Sequence, residues 1–380
     1  MYQFGFVGMK KMKYALQDIA PIQQGQVLEA DEYWLLNLDM VESNTGIIID
    51  YVYATPDEIG ASTIKFDTKN VLYSKLRPYL NKVVLPEQEG YATSEMLPLR
   101  PNTQIITREY LTYFLRSKHF VDYINEKVSG AKMPRANTAD LKSVEIDCPE
   151  LKIQKRITEE LDRLVAIINL RQLELQKLDD LIKARFVELF NDTYPEDTLL
   201  NLCNIIDYRG KTPEKVECGL PFITAKNVKM HHMTMEPREY ISKETYDKVM
   251  VRGFPKEGDV VFTTEAPLGN VCRIPHFDTE FYIGQRIVTM QAESLNPVYL
   301  EYALSDDDFK RKYMGKSSGS TVTGIRVRLL EQLTIPVPPK DLQNEFADFV
   351  EQVDKSKVAV QKALDEVQLL FDSLMQKYFG

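Results

Sequence analysis

The sequence has little of what catalytic and metal sites are made from. It holds four histidines and four cysteines, and Cys148, Cys203, Cys218 and Cys272 form no CxxC pair. They read as reduced thiols of a cytosolic protein, so a cytoplasmic location is expected. His231 and His232 are adjacent rather than one helical turn apart, with no cysteine close in sequence, which argues against zinc. His119, His231, His232 and His276 support no Ser/His/Asp or Cys/His arrangement, and the carboxylates show no interpretable spacing. No stretch approaches about 18 consecutive apolar residues, so no membrane span is expected. Met1 to Lys13 has basic residues but no apolar run followed by a small-residue cleavage site, so no secretory signal is expected either.

Two near-motifs fail on inspection. Gly210-Lys211-Thr212 invites comparison with a phosphate-binding P-loop, but Ile205 stands where the first glycine is needed and Pro213 disfavours a following helix. Asn296-Pro297-Val298-Tyr299 approaches the Asn-Pro-Pro-Tyr/Phe loop of adenine methyltransferases. Val298 replaces the second proline, and no Gly-rich cofactor loop follows a strand at a suitable distance. The segment reads instead as the start of a helix over 298–304.

Net charge is −9 and the pI is about 5.3. A whole-chain excess of acid argues against tight, unaided nucleic-acid binding. It does not exclude local basic surfaces, and what matters for phosphate is the face that meets it.

What the sequence does contain is periodicity. From Leu151 to Phe190 there is no proline or glycine. Ile157, Leu161, Leu164, Ile168, Arg171, Leu175, Leu178, Ile182, Arg185 and Leu189 follow one another at alternating steps of four and three. This is a heptad seam, which predicts a helix of roughly 60 Å burying one narrow stripe on another helix. Arg171 and Arg185 require a partner face that tolerates charge.

The last forty residues supply that partner. Phe346, Val350, Val353, Val360, Leu364, Val367, Phe371, Leu374 and Tyr378 occupy the same seam, with Lys357 as the polar break. The offset is 189 residues, the separation of Gln154 and Gln343. It reaches further back: Val71-Leu72-Tyr73-Ser74, Pro78 and Asn81 match Val260-Val261-Phe262-Thr263, Pro267 and Asn270. Pro149 matches Pro338. A duplicated head-plus-helix plan follows.

Each head reads as mixed α and β. Gly46 to Tyr53 is rich in β-branched and aromatic residues and predicts a strand, as do 62–66, 70–74, 82–85 and 91–98. Residues 108–127 predict a helix in two pieces. In the second head 199–206 begins a helix or strand, 222–228 is a strand running into a polar turn, and 258–271 is a turn, a strand and a Pro/Gly loop.

Two loops of the first head offer cations: Ser74-Lys75-Leu76-Arg77-Pro78-Tyr79, and Gly130-Ala131-Lys132-Met133-Pro134-Arg135-Ala136-Asn137. Such side chains suit phosphates and base edges, although a solvated loop with incidental charge would look the same. Both loops align with loops of the second head, at 263–268 and 319–326. The loop through Arg209, Lys211 and Thr212 could meet a phosphate backbone. Gln285 and Arg286 carry the two side chains that pair bidentately with adenine and guanine.

Taken together, this arrangement resembles the DNA-specificity subunit of type I restriction-modification systems over nearly the whole chain. The stretches that carry the resemblance are Tyr208-Arg209-Gly210-Lys211-Thr212-Pro213, residues 222–228, 258–270, 319–325 and 130–135, and the helix openings at 149–154 and 339–343. The first head lacks an Arg-Gly-Lys-Thr-Pro equivalent. The resemblance implies an α+β chain: a target-recognition domain over 1–148, a long helix over 149–192, a second target-recognition domain over 193–338 and a distal long helix over 339–380. The helices pair as an antiparallel coiled coil, and the repeats are related by a pseudo-twofold. It implies a non-catalytic subunit in which each head reads half of a bipartite double-stranded DNA site. Methyltransferase subunits that bind S-adenosylmethionine are the implied partners, and a nuclease-translocase subunit can join them; no cofactor is expected in this chain. The residues expected at DNA are Lys75, Arg77, Lys132, Arg135, Asn137, Arg209, Lys211, Thr212, Lys226, Asn227, Thr264, Gln285, Arg286, Thr321, Thr323 and Arg326. The rival reading is a duplicated coiled-coil scaffold without a DNA role.

Overall fold

The structure, a computed structural model, describes residues 12–128, 132–208, 213–318 and 323–380. Two helices dominate it, Leu151–Phe190 and Lys340–Phe379, each 40 residues long. All ten seam positions of the first are buried or half-buried, and so are those of the second. The chain divides into two compact units, residues 1–173 with 361–380, and residues 174–360. Each unit contains one half of each long helix.

In the first unit, Ile157 and Leu161 of the central helix share a core with Phe371, Leu374, Tyr378 and Phe379 of the distal helix. Tyr378 Oη donates to Glu160 at 2.6 Å. In the second unit, Ile182 packs with Phe346, Val350 and Val353. The charged seam positions find counter-charges there. Arg185 bonds Glu188 at 2.7 Å and Glu345 at 2.6 Å, and Lys357 bonds Asp179 at 2.7 Å. The pairs 185–345 and 179–357 run in opposite directions, so the helix halves are antiparallel.

The heads repeat at the level of single hydrogen bonds. Buried Gln154 accepts from the Thr107 N–H at 2.9 Å and donates to the Pro149 carbonyl at 2.8 Å. Buried Gln343 accepts from the Asn296 N–H at 2.8 Å and donates to the Pro338 carbonyl at 2.8 Å. Tyr110 Oη donates to the Asp147 carbonyl and Tyr299 Oη to that of Pro336. These glutamines seat each long helix on the short helices of its head, Arg108–Arg116 and Lys118–Asn125 in one and Pro297–Ser305 and Asp307–Met314 in the other. The break expected within 108–127 falls at Ser117, which caps the second piece by accepting from the Phe120 N–H.

Among the described residues, the first head has a three-stranded sheet with Val71–Ser74 at its centre, between Val83–Val84 and Met96–Leu99. A four-stranded sheet joins Val52–Ala54, Tyr33–Leu36, Gly90–Thr93 and Thr63–Phe66. In the second head Val260–Thr263 takes the place of Val71–Ser74, between Val271–Arg273 and Ile287–Ala292, and Cys203–Asp207 adds a fourth strand. The central strands are buried at every position. This explains their near-continuous apolar sequence in place of alternation.

One expected strand is mostly absent. Of 46–53, only Val52 and Tyr53 enter a strand, Val52–Ala54. Gly46 adopts φ +67, and a Cβ there would strike the Val83 carbonyl oxygen. The chain turns at that point, with the Glu42 N–H on the Ile47 carbonyl at 2.8 Å, and this leaves Ile47, Ile49 and Tyr51 exposed.

Asp67 anchors the loop between Thr63–Phe66 and Val71–Ser74. Burial alone would raise its carboxyl. Hydrogen bonds from Arg100, at 2.9 and 2.8 Å, and from the Gln26 and Lys69 N–H groups outweigh burial and hold it at about 2.

Two outcomes follow. Because the folded carboxyl lies below its unfolded value, Asp67 contributes stability above about pH 4 that is lost as the pH falls toward 2, about 2 kcal/mol in all. Urea unfolding from pH 6 to pH 2 should show this slope, and Arg100→Gln should flatten it. Gln154→Leu should orphan buried backbone groups at Thr107, Ile105 and Pro149, at roughly 1–3 kcal/mol each. Hydrogen exchange at 105–107 should then accelerate by at least tenfold.

Candidate nucleic-acid interface

Each head ends its central strand in a loop stitched to a second loop. In the first head the Ala136 N–H donates to the Lys75 carbonyl at 2.8 Å, and Leu76 bridges Arg135. In the second head the Ile325 N–H donates to the Thr264 carbonyl at 2.9 Å, and Glu265 bridges Gly324. All four residue pairs obey the 189-residue offset. A third segment joins in both: the Lys75 N–H donates to the Glu95 carbonyl at 3.0 Å, and the Thr264 N–H to the Arg286 carbonyl at 2.8 Å. The same three-loop junction is therefore built twice from main-chain bonds.

The junctions bring together several of the expected residues. In the first head, Glu95 accepts from Arg135 at 2.9 Å and lies 3.9 Å from the Lys75 ammonium. The Glu95 carboxylate pushes the Arg135 guanidinium up. Arg77 is exposed, with φ 50, and its N–H donates to the Pro134 carbonyl at 2.7 Å. Lys132 is exposed on the neighbouring loop. In the second head, Gln285, Arg286 and Arg326 line a cleft of about 260 Å³ with Glu265 and Ser318. Arg286 Nε donates to Glu265 at 2.8 Å, and its φ is 74. Non-glycine residues at positive φ are costly, of the order of 1–3 kcal/mol, and cluster at functional sites. Thr323 is exposed at the edge of this region.

The remaining expected residues carry structural bonds or lie apart from the cleft. Asn227 is 1% exposed. Its carbonyl accepts from the Thr224 N–H and hydroxyl, and its amide donates to the Thr234 and Pro237 carbonyls, so no group is left for a ligand. Thr264 lines the cleft but is buried, its backbone committed to the junction. Asn137 caps the helix Thr138–Ser143 by accepting from the Ala139 N–H. Lys226 is exposed but does not line the cleft. Arg209, Lys211, Thr212 and Thr321 lie outside the described residues. The near-methyltransferase segment is a helix start, with Asn296 capping Pro297–Ser305.

Residue-by-residue reading missed the acids. Glu95 and Glu265 organise the cations at the junctions, yet a search for phosphate-binding side chains passes over carboxylates. It also missed Glu301, 1% exposed, which accepts from Arg273 at 2.6 Å and sits 2.9 Å from His231 Nδ1. Burial alone would lower Arg273; Glu301 outweighs it and holds the guanidinium up. The His231–Glu301 contact ties the turn of the hairpin Val228–Lys229/His232–Met233 to the helix Pro297–Ser305, and the Arg273–Glu301 pair ties the strand Val271–Arg273 to it. The first head has Thr112 at the equivalent position.

Two copies of one head-and-helix unit, each with a polar junction at the same strand end, define a duplicated recognition scaffold. A family model described as the type I restriction modification DNA specificity domain matches residues 9–179 and again 196–368. The specificity subunit of the type I restriction enzyme MjaVIII of Methanocaldococcus jannaschii is 23% identical over 323 residues, 74% of this chain and 73% of that protein. Two solved structures share the fold. The S subunit of a type I restriction-modification system from M. genitalium has a TM-score of 0.58 at 14% identity, covering 100% of this chain and 98% of that one. A chain from a study of complex assembly and conformational transition of the type I R-M system has a TM-score of 0.58 at 19% identity, covering 98% and 99%. The chain belongs to the type I restriction-modification DNA specificity family. It carries two target-recognition domains, and its work is DNA recognition rather than catalysis. Among the described residues, no helix is long and apolar enough to cross a membrane.

Asn227→Ala should strip four hydrogen bonds from the second head and lower its melting temperature by several degrees. Lys226→Ala, one residue away and exposed, should change stability by less than about 0.5 kcal/mol. Thermal unfolding of the two variants side by side checks the assignment.

Proposed function

We propose that each head reads one half of a bipartite double-stranded DNA site, within a cytoplasmic complex whose methyltransferase subunits bind S-adenosylmethionine and perform the adenine methylation. The observation that carries this reading is the three-loop junction, built twice from identical main-chain bonds and furnished with different side chains. A shared backbone with different donors and acceptors suits the recognition of two different base sequences. The recognition domains are 1–148 and 193–338, joined through the two long helices, which set the spacer between the half-sites. Arg77, Lys132, Lys226 and Arg326 are exposed cations suited to phosphate, and they position the heads.

A chain of net charge −9 binds DNA weakly by itself, so the partner supplies further positive surface. The methyltransferase subunits dock on the outer faces of the helices. In the first unit Ile167, Leu170, Leu173, Leu369 and Leu370 are exposed there, Leu170 at 64% and Leu369 at 72%. In the second unit Leu181, Val187 and Val358 are exposed. Apolar side chains off the seam suit a partner rather than solvent. A nuclease-translocase subunit completes the complex where restriction accompanies modification.

The test is a head exchange. Residues 196–338 are replaced by those of another family member, the chain is assembled with its methyltransferase subunit, and methylated positions are mapped on genomic DNA. One half of the target should change while the other stays. A change in both halves, or in neither, overturns the modular reading.

A further inference from the structure

The two junctions share main-chain hydrogen bonds but carry opposite polarity at one position. Glu95 directly precedes the strand Met96–Leu99, and Arg286 directly precedes Ile287–Ala292. Those strands pair with the central strands in the same way, Ser74 opposite Met96 and Thr263 opposite Ile287. The carbonyls of Glu95 and Arg286 accept the equivalent N–H groups, from Lys75 and Thr264. The same hydrogen-bonding position therefore carries a carboxylate in the first head and a guanidinium in the second, and of the two Arg286 has the left-handed backbone, φ 74.

The counter-charges come from different positions of the junction: Lys75 and Arg135 correspond to the uncharged Thr264 and Gly324, and Glu265 corresponds to Leu76. The Glu95 carboxylate is held by Arg135 and Lys75, both on the stitched loops. The Arg286 guanidinium is held by Glu265, on the loop equivalent to that of Leu76. Both side chains reach solvent, Glu95 at 22% and Arg286 at 51%. An isolated carboxylate would be repelled by DNA phosphates; with two cations beside it, the cluster at Glu95 is net positive. A carboxylate accepts from the cytosine amino group, whereas an arginine fork donates to guanine O6 and N7.

We infer that Glu95 and Arg286 are paired specificity residues: Glu95 selects cytosine at one position of one half-site, and Arg286 selects guanine at one position of the other. Glu265 and Arg135 are positioning residues that aim them. This rests on the DNA-reading function proposed above and names the residues and bases through which it works.

The experiment is selection from a randomised duplex library by the full chain assembled with its methyltransferase subunit, with the base preference at every position measured for each variant. Arg286→Gln should lose guanine preference at one position of one half-site by about tenfold or more, and leave the other half as in the wild type. Arg286→Lys keeps the charge beside Glu265 but not the planar fork, and should weaken the same preference by less than Arg286→Gln does. Glu95→Gln should relax cytosine at one position in the opposite half. The half-site that stays unchanged shows that each variant is folded and assembled. Uniform weakening at all sequences, or unchanged preferences, overturns the inference while leaving a wild-type bipartite site intact. A wild-type complex that selects no sequence overturns the DNA reading itself, and this inference with it.

Discussion

A forty-residue helix with one narrow apolar stripe is not a stable object in water, and the rest of this structure depends on how that stripe is covered. Burial of the seam is the dominant favourable term, as in any coiled coil. The seam also carries charges that an apolar partner could not accept. Arg185 is met by Glu188 and Glu345, and Lys357 by Asp179. These are partly exposed pairs, so their worth lies less in net energy than in register, since a slip by one heptad would leave a cation facing apolar side chains. The buried glutamines extend the same logic to the heads. Gln154 and Gln343 each satisfy main-chain groups next to a helix start, which fixes how a head sits on its helix half.

Much of this was legible in the sequence because periodicity and repetition are properties of many residues at once. The alternating four-and-three spacing from Ile157 to Leu189 survives two arginines, and the 189-residue offset survives low identity elsewhere. Single loops were less legible. The β-branched run after Gly46 has the composition of a strand, but the backbone turn at Gly46 and the close approach of Val83 decide otherwise, and no local propensity records that approach. Asn227 looks like a surface donor in sequence and is interior in space, because side-chain bonds to one's own turn cannot be distinguished from bonds offered to a ligand without coordinates. Glu95 and Glu265 were passed over for the opposite reason: acids are not what a phosphate-seeking reading looks for.

The division of labour within each junction explains why duplication and divergence coexist here. The stitches that hold the three loops together are main-chain hydrogen bonds, Ala136 to Lys75 and Ile325 to Thr264, with Lys75 to Glu95 and Thr264 to Arg286. Main-chain bonds place little constraint on side-chain identity. Exposed or half-exposed substitutions away from caps and buried networks cost little, typically within about 0.5 kcal/mol. The same main-chain stitches can therefore carry different side chains in the two heads.

That freedom has a limit, and the limit is electrostatic. A carboxylate at the position of Glu95 would work against any polyanionic ligand unless neighbouring cations outweighed it, and Lys75 and Arg135 do so from two different loops. In the second head Arg286 already carries the favourable sign, and it donates to a single acid, Glu265, from a left-handed backbone conformation that arginine does not otherwise favour. The sign changes at the central position, and each head supplies the counter-charge from a different position, Lys75 and Arg135 in the first and Glu265 in the second. A change of the central side chain alone would leave either an unscreened acid facing the ligand or a cation with nothing to orient it. In both heads the central side chain is therefore oriented by a neighbour of opposite charge, and a ligand that meets it meets an ion pair rather than a lone charge.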